Sequence, residues 1–121
     1  MRSSEITILR ARRKRFSVMV EQAMRSLPPA VQETLINIAI VVEDEPPDDM
    51  EQLGLYEGVP QADREGGEPI LPDRITLFRG PLERAFPDDA DRRDEIRITL
   101  LHEIGHHIGL DEGDLDRIGL G

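Results

Sequence analysis

At 121 residues the chain has the length of one domain with a modest core, and its formal net charge is −10. It has no cysteine, which excludes disulfides and thiolate metal sites, and no apolar run approaching a membrane helix. The charge is uneven: residues 1–30 hold seven Lys/Arg against two Glu, whereas residues 31–121 hold eight Arg against 23 Asp/Glu. An acidic body repels phosphates and so argues against nucleic acid as a partner.

Residues 1–15 read as a basic N-terminal arm, and residues 16–121 as the folded domain. The cluster Arg10, Arg12, Arg13, Lys14 and Arg15 either contacts nucleic acid or acidic lipid, or is a solvated helix start. The second reading is the commoner one, with some arginines pairing to the acidic body. The short apolar run after it meets Glu21, which is not a secretory-signal pattern, so a cytoplasmic location is the default expectation.

Phe16, Val20, Ala23 and Met24 recur at helical spacing, predicting a helix over 16–24 that ends before Pro28-Pro29. A short helical turn over 30–35 follows the prolines. Residues 35–42 are rich in β-branched side chains and predict a buried strand, with Ile36, Ile38, Ile40 and Val42 on one face. Residues 43–74 contain five prolines and four glycines. A structureless loop of that length is unusual, so a helical turn over 49–53 or a functional flap is expected there. Within it, Glu57 and Asp63 are either extra metal ligands or, more commonly, solvated carboxylates. Tyr56, the lone tyrosine, is either an oxyanion donor or, by preference, a packing anchor.

Alternation over 75–79 predicts a second strand ending in Arg79, for which a surface salt bridge is the preferred role over lining a cleft. Gly80-Pro81 breaks it, and one helical turn is expected over 82–86. Asp88, Asp89 and Asp91 suit the start of a last, long helix over 91–108. Its core stripe is Ile96, Leu100, Ile104 and Ile108, with Leu101 alongside.

All three histidines fall on that helix, within the stretch His102-Glu103-Ile104-Gly105-His106-His107. Residues at i and i+4 sit one turn apart on the same side, so His102 and His106 point together, away from the core stripe. Two imidazole nitrogens so placed reach one Zn²⁺ at about 2.0–2.1 Å. Glu103, next to the first of them, is placed to take a proton from water at that metal without being a ligand. A catalytic zinc normally has three protein ligands. Gly109 at the helix end can turn the chain back, which makes Glu112 the expected third ligand, with Asp111 and then Asp114 as alternatives. His107, on the core-side edge, reads as a structural histidine or one that supports the ligands. Gly105 suits close approach by another segment.

The complete pattern, H-E-x-x-H-x-x-G-x-x-E, resembles the metzincin form of the zincin signature with an acid in place of the third histidine. With Gly54-Leu55-Tyr56-Glu57-Gly58-Val59-Pro60 and Ile75-Thr76-Leu77-Phe78-Arg79-Gly80-Pro81-Leu82, it resembles the small bacterial zincin-like minimal metalloproteases. That family often has Asp where this chain has Glu112, and no methionine follows to form a Met-turn. The resemblance implies an α+β fold: a minimal zincin-like single domain, a small sheet packed against the active-site helix. It also implies that the strand over 75–79 binds substrate backbone by edge pairing.

Three functions follow as expectations. The first is a zinc metalloendopeptidase acting on peptide or protein substrates, with His102, His106 and Glu112 on Zn²⁺ and Glu103 as general base. The second is a non-catalytic, zinc-stabilised interaction domain. The third is a metal-dependent ribonuclease, which only the basic arm supports. Mn²⁺ or Fe²⁺ could compete at such a site. The sequence is silent on oligomeric state.

Overall fold

The computed structural model describes residues 3–48, 50–58 and 72–108. Four helices pack with one mixed three-stranded sheet. In chain order these are α1 (Ser3–Ser26), α2 (Pro29–Thr34), a 3₁₀ turn (Leu35–Asn37), β1 (Ile38–Glu43), β2 (Gly54–Glu57), β3 (Asp73–Phe78), α3 (Arg79–Ala85) and α4 (Asp89–His107). The α+β expectation therefore holds.

From Ser3 onward the basic stretch forms the opening turns of α1. Its 24 residues give a rod about 36 Å long, of which only Phe16, Met19, Val20 and Ala23 are buried. The N-terminal half stays exposed, and two of its arginines pair to the body, Arg13 to Asp44 and Arg15 to Asp89. Pro28 lies just outside α2 and Pro29 opens it, where a missing N–H costs nothing.

The apolar run after α2 starts its strand later than its composition suggests. Leu35–Asn37 continues from α2 as a 3₁₀ turn, leaving Ile36 79% exposed instead of on the strand's inner face. From Ile38 onward β1 pairs in parallel with β3, Ile40 opposite Ile75 and Val42 opposite Leu77. On its other side β3 pairs antiparallel with β2, Gly54 opposite Leu77 and Tyr56 opposite Ile75. The sheet order is β1-β3-β2, so β3 is central and both its edges are occupied. This overturns its expected role in edge pairing: among the described residues, the outer edges of the sheet belong to β1 and β2. It also corrects the reading of the acidic stretch, which contains strand β2. Residues 50–53 are not helical, and Asp49 lies outside the described residues.

Alternate residues of a strand face opposite ways. Ile38, Ile75 and Leu77 share the face toward the helices and join Phe16, Met19 and Val20 of α1 and Ile96, Leu100, Leu101 and Ile104 of α4 in one core. Each such side chain contributes about 2 kcal/mol when fully buried. The stripe on α4 stops one turn early: Ile108 caps the helix and is 51% exposed.

Arg79 belongs to α3, not to the strand, and it is not a surface pair. Its guanidinium is buried, donating to Asp44 Oδ1 at 2.9 Å and Glu83 Oε1 at 2.5 Å. Gly80 donates its N–H to the Asp44 carbonyl at 2.8 Å, and a Cβ there would fall 2.8 Å from that same oxygen. A side chain at position 80 would therefore force α3 off the end of β1. At α4 the acidic start works as expected, with Asp88 accepting from the Asp91 N–H at 3.1 Å.

Candidate metal centre

The last two turns of α4 lie under β2 and β3. Here His102, Glu103 and His106 bring one donor atom each to within 4.8 Å of one another. The two imidazole rings meet edge to face with centroids 4.6 Å apart. Glu103 is buried, while His106 is open to solvent, and Glu103 Oε2 lies 3.2 Å from His106 Nδ1. At a tetrahedral zinc, two bonds of about 2.1 Å set their donor atoms about 3.4 Å apart. The donor atoms, within 4.8 Å of one another, would draw together by side-chain rotation, for which the exposed His106 has room. Two imidazole nitrogens match zinc in ligand chemistry, and Glu103 beside them is placed to accept a proton next to the ion, so the residues present fit it.

A glycine sets how closely the sheet comes to this group. At Gly54, the first residue of β2, a Cβ would lie 2.7 Å from the Thr99 Cγ2 methyl and 3.4 Å from Glu103 Cγ. The methyl sits on a stiff β-branched side chain and cannot swing aside. Glycine thus lets β2 settle onto α4 at the level of Glu103. A cleft of about 260 Å³ opens there, with His102 and Glu103 on one side and Leu53 and Gly54 on the other.

His107 turns away from the pair. It stands edge to face with Tyr56, ring centroids 5.7 Å apart, and its Nδ1 lies 2.7 Å from Asp73 Oδ2. That approach lacks hydrogen-bond alignment, so it is a close polar contact only. Tyr56 donates its hydroxyl to the same Asp73 oxygen at 2.9 Å. Strands β2 and β3 are thereby tied to the final turn of α4, which also carries His106. This is the anchoring role preferred for Tyr56, and of the two readings of His107 it matches the structural one. Asp73 escaped sequence reading, since nothing local marks a strand-opening aspartate as a partner for a histidine so far along the chain.

Glu57 pairs with Arg74 at 2.7 Å across the sheet and is committed there. Gly109, Asp111, Glu112 and Asp114 lie outside the described residues, as do Val59, Pro60 and Asp63, so the third-ligand expectation is neither met nor broken. A larger cleft, about 570 Å³, shares no residue with the histidine group. Arginines of α1, α3 and α4 line it, and all but Arg12 are paired to carboxylates among the described residues. The pairing of Arg13 and Arg15 to the body leaves the ribonuclease reading with less free positive charge than the sequence implied. No described helix is long and apolar enough to cross a membrane.

Comparison with known proteins agrees with this geometry. No curated protein matches the chain. A solved structure described as a conserved hypothetical protein from Thermo thermophilus is 28% identical, covering 78% of this chain and 92% of its own, with a TM-score of 0.56. The model of the zincin-like metallopeptidase family matches residues 35–121, most of the chain and all of the histidine helix. With two histidines and a buried glutamate gathered on the matched helix, the chain belongs to the zincin-like metallopeptidase family.

Proposed function

We propose that the protein is a zinc-dependent endopeptidase. The observation that carries this reading is the convergence of His102, Glu103 and His106 beside a cleft at the edge of the sheet. His102 and His106 would hold the ion, with Glu112 as the proposed third ligand. When bound, zinc supplies Lewis acidity, polarising the scissile carbonyl and making water acidic enough to deprotonate near neutral pH.

The remaining chemistry falls to the chain itself. Glu103 takes the proton of the attacking water and returns it to the leaving amine, the general acid–base role of a carboxylate held within reach. Its burial against Gly54 fixes its rotamer and keeps bulk water from competing for the proton. Strand β2, which begins at Gly54 and lies at the sheet's edge among the described residues, is suited to bind an extended peptide by backbone pairing, a role that central β3 cannot take.

The test is Glu103→Gln, which keeps size and removes the base. The variant should retain about one zinc per chain by mass spectrometry and lose about 10²–10⁴-fold in peptide hydrolysis. Equal turnover by the variant would remove Glu103 from the mechanism. Zinc retention with no cleavage of any peptide by the wild type would favour the metal-stabilised interaction domain instead.

A further inference from the structure

We infer that the cleft beside His102 and Glu103 receives a basic side chain of the substrate, Lys or Arg, and that Glu95 selects it. The inference rests on the peptidase reading and names its substrate class.

Glu95, Thr99 and His102 stand at i, i+4 and i+7 on α4, so they form one strip leading from the cleft to the metal group. Two features of the strip point to a ligand with an apolar stem and a cationic tip. The first is its walls: Leu53, the Thr99 methyl and Ile98, whose side chain is left 42% exposed. The second is Glu95 itself, which is half-buried yet has no ion pair or hydrogen bond among the described residues.

That lack of a partner is unusual here. The part-buried carboxylates of Asp44, Asp73, Glu83 and Asp89 each have one. Arginine is also close in sequence, but Arg92 is spent on Asp89 and on the carbonyls of Phe86 and Pro87. Among the described residues Glu95 is therefore an unpartnered carboxylate in a cleft whose volume, about 260 Å³, suits one long side chain and not a larger ligand.

The placement relative to the sheet says how that side chain arrives. Gly54 is both the first residue of β2 and part of the cleft wall. A peptide laid along the β2 edge, with its scissile carbonyl at His102 and Glu103, delivers a neighbouring side chain into this space. The net charge of −10 adds a long-range attraction for basic peptides.

The experiment uses the zinc-loaded full chain and an extended neutral peptide in which lysine, or uncharged norleucine of similar shape, is walked through every position. The lysine peptide should be cleaved with kcat/KM about 5-fold higher at one register. Glu95→Gln should bring the two peptides level, and Glu95→Lys should reverse the order for a glutamate-bearing peptide against its lysine counterpart. Equal cleavage of lysine and norleucine at every register overturns the inference and leaves the peptidase reading intact. So does a lysine preference that survives Glu95→Gln. If nothing is cleaved, the peptidase reading falls, and fluorescence anisotropy with the same peptides decides the pocket. A lysine-to-norleucine Kd ratio near one overturns it, whereas a ratio that Glu95→Gln abolishes upholds it.

Discussion

The cluster around Asp44 and the histidine group on α4 are both part-buried polar assemblies, and they follow opposite rules. Asp44 accepts from Arg79 and from Arg13, while Arg79 also reaches Glu83, so opposite charges complete one another. His102, Glu103 and His106 instead gather three lone-pair donors at one spot. What reconciles such a set is a proton or a metal ion. Self-complementary charge marks an assembly that serves the fold, and convergent donors mark one that waits for something else.

That contrast can be tested by breaking each side. Asp44→Asn leaves the buried Arg79 with half its partners and should cost about 2 kcal/mol in denaturant unfolding, with zinc affinity unchanged. A change in zinc affinity would mean that the two assemblies are coupled. The same site also sets a pH dependence. Hydrogen bonds from Arg13, and then from Arg79, hold the Asp44 carboxyl below the usual carboxylate range. A depressed carboxyl stabilises the fold above its unfolded value near pH ~4 and loses that contribution as pH falls through the lower folded value. Acid unfolding should therefore be shallower in Asp44→Asn than in the wild type.

On the other side, Asp73→Asn loosens the tie between the sheet and the last turn of α4. Outer supports of this kind typically govern about 10-fold in metal affinity, and that is the loss expected in a zinc competition titration. An unchanged affinity would reduce the Tyr56–Asp73–His107 contacts to packing. The smallest effect belongs to the exposed pair Glu57–Arg74: Glu57→Gln should shift stability by less than about 0.5 kcal/mol and leave zinc affinity alone.

The metal group was legible because its geometry is local: an i, i+4 spacing on a helix needs no knowledge of the rest of the chain. The same holds for α4's acidic cap and for the buried stripe of Ile96, Leu100 and Ile104. What escaped was set by partners distant in sequence. Gly54-Leu55-Tyr56-Glu57 has no alternation to mark it and becomes a strand by pairing with β3. Ile36 has the composition of a strand residue, but the turn leaving α2 reaches past it. Arg79 ends an alternating run, yet Asp44, 35 residues earlier, draws it into the start of a helix. Glu95 carries no local mark in the sequence, and only the cleft it shares with Leu53 and Gly54 sets it apart.

The β1–β3 ladder joins residues far apart in the chain, Ile38 to Asp73, so the sheet must close a long loop before its pairs reward it. The two histidine ligands on α4 need only about one turn of a single helix, which forms far faster than a non-local sheet. Assembly thus has a natural order. An ion that meets the nascent helix can cross-link one turn to the next, offsetting the cost of nucleation before any tertiary contact exists. If the proposed zinc is held there, refolding rate, and not only final stability, is expected to depend on zinc concentration.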